Sequence, residues 1–185
     1  MPHRVFIGIG TNLGDRAVNY REAIVRVASL PGTRIVRQSS IYETEPVGEI
    51  KGPFLNGVVE IETELPADTL MRRLLSIERT MGRKRAPGRR PTAHPAHQPR
   101  AIDLDMLFFN HETVATRALT LPHPRLHERR FVLAPMAELA PTLIHPKLNV
   151  TISDLLASLK SPYRVSLARA DVIRPPPSRR EVATR

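Results

Sequence analysis

Ile102-Asp103-Leu104-Asp105-Met106-Leu107-Phe108-Phe109 alternates apolar with acidic side chains before turning wholly apolar. That is the period of a β-strand, with Ile102, Leu104, Met106 and Phe108 on one face and Asp103 and Asp105 on the other. Working back, Pro66 opens a helix whose Leu70, Leu74, Ile77 and Met81 form one stripe and which Gly82 closes. Before it, Phe54 to Glu64 alternates Val59, Ile61 and Thr63 against Glu60, Glu62 and Glu64, a strand with one wet face. Arg34 to Tyr42 is a β-branched strand. Arg16 to Leu30 is a helix stopped by Pro31-Gly32, and Val5, Ile7 and Ile9 alternate through a first strand ending at Gly8-Ile9-Gly10. The order is β-α-β-β-α-β, which predicts an α+β fold: a ferredoxin-like core, an antiparallel sheet with both helices on one face. A C-terminal helical extension follows, with a helix from about Arg129 to Leu139 that must tolerate Pro135 and a short helix capped by Ser153.

At 185 residues the chain is expected to form a single domain over residues 1–160. Apolar residues make up 41% and cysteine is absent, which excludes a disulfide framework, a thiol nucleophile and a thiolate zinc site. The apolar runs are too short for a signal peptide or a bilayer span, so the expected address is the cytoplasm. There is no internal repeat.

The net charge of +10 is unevenly spread. Arg79, Arg83, Lys84, Arg85, Arg89, Arg90 and Arg100 fall in one segment without an acid, and six arginines face two acids from Ser161 to Arg185. Residues 161–185 include Arg174-Pro175-Pro176-Pro177 and are expected to be a disordered basic tail. The inner segment lies between two patterned elements and is expected to be a functional loop.

Asp103 and Asp105 on one strand face have Cα atoms roughly 6.5 to 7 Å apart, close enough to ligate one hard cation or bridge two. Alone, such a pair is most simply a solvated face. The adjoining guanidinium groups change the balance, because carboxylates for Mg²⁺ together with arginines suit phosphoryl transfer. Gly8, Gly10 and Gly14 have the wrong spacing for a dinucleotide fingerprint, no Lys-Ser or Lys-Thr follows for a P-loop, and a tight turn is the simpler role. His123 and His127 have the spacing of helical zinc ligands, but Pro122 and Pro124 argue against helix there, so His123 is a candidate donor to an anion beside Arg125, Arg129 and Arg130. Phe54 and Phe131 could stack on a flat ligand, with core packing as the simpler reading. A single-strand-binding module would explain the basic charge, yet it would not present two carboxylates on its sheet.

These segments in this order resemble the 6-hydroxymethyl-7,8-dihydropterin pyrophosphokinases of the folate pathway. The resemblance is carried by Ile7 to Asp15, Ser39 to Gly48, Phe54-Leu55-Asn56, Ile77-Glu78, Gly82 to Arg85, Pro99 to Asp105 and Leu121-Pro122-His123-Pro124 through Arg129, Phe131 and Val132. It implies transfer of pyrophosphate from ATP to the pterin hydroxymethyl group, releasing AMP, with two Mg²⁺ ions. It further implies that Asp103 and Asp105 hold both ions and that Arg83 and Arg85 act from a mobile catalytic loop. The pterin would lie between Phe54 and Phe131 with its polar edge on Asn56 and on the backbone from Thr44 to Val47. ATP would fall to Glu78, Arg85, Arg100, His123 and Arg129. The expected partners are these two small molecules, with no nucleic acid, no membrane and a monomeric chain. The chain departs from the family in having His97 where tryptophan is usual and Glu45 where proline is frequent.

Overall fold

Val5, Ile7 and Ile9 belong to a strand, β1 (His3–Thr11), in a computed structural model that describes residues 1–45, 52–82 and 101–169. Helix α1 (Arg16–Ala28) follows, its N-terminus capped by the Asp15 carboxylate, which accepts from the Val18 amide. Next come β2 (Thr33–Gln38), β3 (Tyr42–Thr44), β4 (Phe54–Thr63), α2 (Ala67–Thr80) and β5 (Asp103–Phe109). After two-residue strands β6 (Val114–Ala115) and β7 (Thr120–Leu121) come α3 (Arg130–Leu139), β8 (Ile144–His145), β9 (Val150–Thr151), α4 (Ile152–Ser158) and β10 (Val165–Leu167).

Among the described residues the main sheet has six strands in the order β10-β3-β4-β1-β5, with β2 also on β4 and every pairing antiparallel. One face packs on α1 and α2 through Val5, Ile7, Ile9, Tyr20, Val27, Ile61, Leu70, Leu74 and Leu104. The other packs on α3 and α4 through Phe6, Val58, Leu107, Phe108, Leu133, Met136 and Ile152. Each such fully buried side chain contributes about 1.5 to 3 kcal/mol of transfer free energy. The result is three layers, helix pair on sheet on helix pair.

Several expectations change. The polar face of β4 is wet only toward its end, where Glu62 is half-buried and Glu64 exposed: Glu60 is 4% exposed, and Arg4 and Arg37 from the flanking strands donate to its two oxygens at 2.6 and 2.7 Å. Alternation marks which residues share a face but not whether another layer covers it. The alternation in β5 breaks at Leu107, an extra residue between the pairs Ile7↔Met106 and Phe6↔Phe108, and this bulge moves Phe108 to the α3 face. Gly8 and Gly10 lie inside β1 rather than in a turn, while Gly14 takes the turn conformation with φ +62°. The expected second strand divides at Ser39–Ile41, where the Ser39 hydroxyl accepts from the Val58 amide. Thr151, not Ser153, caps α4 by accepting from the Asp154 amide. Val165–Leu167 pairs with β3, so the segment read as tail from residue 161 begins with a sheet strand; residues 170–185 lie outside the described part. Three residues with polar neighbours are too short a pattern to register as a strand in sequence.

Candidate active site

A line of paired residues crosses the sheet on its α3 face: Leu167 of β10, Tyr42 of β3, Asn56 of β4, Gly10 of β1 and Asp103 of β5. The neighbouring line carries Val58, Gly8 and Asp105. Gly8 and Gly10 therefore lie between the recognition strand β4 and the acidic strand β5. A Cβ at Gly10 would come 3.1 Å from Asn56 Oδ1, and one at Gly8 would touch Leu107 at 3.4 Å. The missing side chains leave a bare floor, above which opens a cleft of about 210 Å³.

Asp103 and Asp105 form one wall of that cleft, and Thr44, Phe54, Asn56 and Val58 line the β3–β4 side. Arg129 and Phe131, at the start of α3, face it from above. Asp103 is fixed from behind, because the Thr11 hydroxyl donates to the Ala101 carbonyl at 2.6 Å and ties the end of β1 to the start of β5. Between the two aspartates, the Leu104 amide donates to Glu78 at 2.9 Å. Glu78 is 1% exposed and is not among the described residues lining the cleft.

Asp105 lies 3.4 Å from an Arg129 nitrogen and 3.9 Å from His123 Nε2. His123 Nδ1 accepts from the Arg125 amide, and the His123 amide donates to the carbonyl of Leu107, the bulge residue. The bulge thus sets where the histidine stands. Burial, reinforced by the Arg129 charge, lowers the His123 pKa to about 4, so near neutral pH it is an uncharged donor through Nε2. Asn56 donates from Nδ2 to the Thr44 hydroxyl at 2.8 Å, which fixes its amide with the oxygen toward Gly10. Arg129 also lies 5.7 Å over the Phe131 ring.

Among the described residues no group of three or more histidine or acidic side chains is gathered. A cation here would take carboxylate oxygens from Asp103 and Asp105 and the rest from water or substrate, which is the usual arrangement for Mg²⁺ with phosphates. The residues fit that ion.

Of the residues expected from sequence, Thr44, Phe54, Asn56, Asp103, Asp105, Arg129 and Phe131 line one cleft, His123 stands beside Asp105, and Glu78 is buried behind it. Val47, Arg83, Arg85 and Arg100 lie outside the described residues. Glu45, inside the expected Thr44 to Val47 stretch, also lines the cleft; sequence reasoning missed Glu128, Ser161, Tyr163 and Val165 as lining residues and misread the two glycines. Their period-two spacing, matching that of the aspartates, was the available signal.

The family model described as 7,8-dihydro-6-hydroxymethylpterin-pyrophosphokinase matches residues 6–141. A Bacillus subtilis 2-amino-4-hydroxy-6-hydroxymethyldihydropteridine pyrophosphokinase is 41% identical over 140 residues, covering 75% of this chain and 79% of that one. A Methylorubrum extorquens protein of the same name is 41% identical over 157 residues, covering 84% and 93%. Among solved structures, a Plasmodium falciparum HPPK-DHPS aligns with a TM-score of 0.64 at 17% identity, over 85% of this chain and 42% of that one. The chain spans less than half the length of that structure, and the likeness there is one of fold. With the cleft and these matches together, the chain belongs to the 7,8-dihydro-6-hydroxymethylpterin-pyrophosphokinase family, enzymes of pyrophosphoryl transfer in folate biosynthesis.

Proposed function

We propose that this cleft moves the β,γ-pyrophosphoryl group of ATP onto the hydroxymethyl oxygen of 6-hydroxymethyl-7,8-dihydropterin, releasing AMP, with two Mg²⁺ ions on Asp103 and Asp105. The observation that carries this is the joining of two carboxylates to an amide and two phenyl rings across a floor without side chains. When bound, the ions neutralise phosphate charge. The chain's own residues do the rest. Phe54 and Phe131 offer ring faces to the heterocycle, and Asn56 Oδ1, held by the bond from Nδ2 to Thr44, accepts from an amino group on its edge. Thr44 and Val47 complete that edge. Arg129 and His123 stand where phosphate oxygens would replace their present neighbour Asp105. Glu78, Arg85 and Arg100 complete the ATP side, and Arg83 and Arg85 act from the catalytic loop. Glu78 also holds the strand between the two aspartates. No side chain is needed as general base if the hydroxymethyl oxygen is held in line with the β-phosphorus.

We further read the core as ferredoxin-like. Support comes from β4 lying between β1 and the β2–β3 edge, with β5 on the far side of β1. In this reading the chain acts as a monomer on two small molecules in the cytoplasm. Among the described residues no helix is long and apolar enough to cross a membrane.

The test is AMP release from ATP, Mg²⁺ and the hydroxymethyl pterin. AMP should form only with the pterin present. Asp103→Asn and Asp105→Asn should each lower kcat about a thousand-fold with an unchanged melting temperature. Near-normal turnover in either variant would remove that residue from the metal site.

A further inference from the structure

Ser161, Tyr163 and Val165, which follow the last helix, also line the cleft. They reach it from a short segment that bends at Tyr163 and enters β10 at Val165. The segment is anchored. Val165 pairs with Thr44 and Leu167 with Tyr42, the Glu45 amide donates to the Arg164 carbonyl at 3.4 Å, and the Ala168 amide donates to the Ile41 carbonyl at 2.8 Å. Thr44, Val165's partner in register, is the residue whose hydroxyl orients Asn56. The Tyr163 amide donates to Ser161 Oγ at 3.3 Å and so fixes the approach to β10. The Tyr163 side chain is 41% exposed, and its phenol makes no hydrogen bond among the described residues. An aromatic ring held two residues before a pinned strand, at the rim of a ligand cleft and without a partner for its hydroxyl among the described residues, is available to a ligand.

We propose that residues 161–165 form the β3-side wall of the pterin compartment and that Tyr163 touches the bound heterocycle. This deepens the proposed pyrophosphokinase reading and rests on it. The ring covers the pterin from the side that Phe54 and Phe131 leave open, and its hydroxyl meets a polar group of the ligand. The adenine and triphosphate side is untouched, since Tyr163 belongs to the Thr44 end of the cleft and the aspartates to the other.

The experiment uses the full chain with 6-hydroxymethyl-7,8-dihydropterin for kinetics and oxidised 6-hydroxymethylpterin as a fluorescent binding probe. Tyr163→Ala should raise the pterin KM and the probe Kd about ten-fold, with the KM for ATP and kcat nearly unchanged. Tyr163→Phe should recover most of that loss. Hydrogen-bonded pairs alternate along an antiparallel ladder, so the bonds at Arg164 and Ala168 place Ser166 at a bonded position. Ser166→Pro, which removes that amide, should reproduce the pterin-specific effect. Unchanged pterin KM and Kd in Tyr163→Ala, with the parent chain making AMP normally, would overturn the wall while leaving the function standing. An equal rise in both KM values with a lower melting temperature would also overturn it, as general loosening. A parent chain that forms no AMP would overturn the function itself, and the wall with it.

Discussion

Gly10 shows how an absent side chain can define a site. It pairs with Asn56 on one side and Asp103 on the other, and a methyl group there would lie 3.1 Å from Asn56 Oδ1. Its backbone conformation is ordinary strand, so alanine is tolerated by the fold; the conflict is with the amide alone. Gly10→Ala should raise the pterin KM about ten-fold while the melting temperature moves by a few degrees at most, read by steady-state kinetics and thermal melts. A parent-like KM would show that Asn56 does not need its present position. At this scale the acidic pair was legible because a strand repeats every two residues and Asp-Leu-Asp follows that rule. The glycines were not, because two glycines one residue apart look like a turn until the opposite strands are known. Tyr163 was hidden by averaging: the run from Ser161 to Arg185 is polar and proline-rich as a whole, and its first residues were judged with the rest.

The roof of the cleft depends on α3, which carries Phe131 near its start and Glu138 one residue from its end. Glu138 accepts from the Ser40 amide at 3.0 and 3.1 Å, from the Ser40 hydroxyl at 2.8 Å and from the Tyr42 hydroxyl at 3.2 Å. One carboxylate thus clamps the helix to the β2–β3 connection, next to the strand that bears Thr44. Burial, then the Glu138 charge and hydrogen bond, raises the Tyr42 pKa, so the phenol remains the donor. Glu138→Ala should cost about 1 kcal/mol in stability, measured by denaturant unfolding, and should raise the pterin KM more than the ATP KM as Phe131 loses its fixed height. Stability loss with an unaltered KM ratio would separate the clamp from the pocket. Helices α1 and α2 were legible from their apolar stripes and stops, and α3 and α4 were placed in sequence with Pro135 accepted within α3 but with the cap of α4 assigned to the wrong residue. The bulge at Leu107 was not, since nothing in Met106-Leu107-Phe108-Phe109 says which apolar residue is the extra one; only pairing with Phe6 and Ile7 decides it.

Two helical layers enclose the sheet, and the α3–α4 layer contains a buried histidine that links stability to pH. His145 is 4% exposed, its Nδ1 accepts from the Lys147 and Leu148 amides at 3.3 Å, and its ring meets Phe108 edge-on at 5.8 Å. Burial, assisted by nearby His127, lowers its pKa below the ordinary value of 6.5. The unfolded chain therefore takes up this proton first. Stability is fully present above about pH 6.5 and declines as the pH falls below it, until the folded protein is protonated too. His145→Asn keeps an acceptor for the two amides and removes the titration. Its melting temperature should fall less between about pH 8 and about pH 5 than that of the parent chain; an identical fall in both would assign the acid sensitivity elsewhere. The layer order was only half legible. Periodicity revealed the apolar stripes of α1, α2 and the longer strands, yet the polar edge of β4 gave no sign that Arg4 and Arg37 would close over Glu60 and bury it.

β1, earliest of the strands in this sequence, occupies an interior place in the finished sheet. β1 pairs with β4 on one side and β5 on the other, the latter joining Val5 to Phe109. During synthesis its apolar residues gain a first partner only with residues 54–63 and a second only with residues 103–109, so one edge of the strand stays open over a long stretch of translation and is a natural client for chaperones that shelter sticky segments.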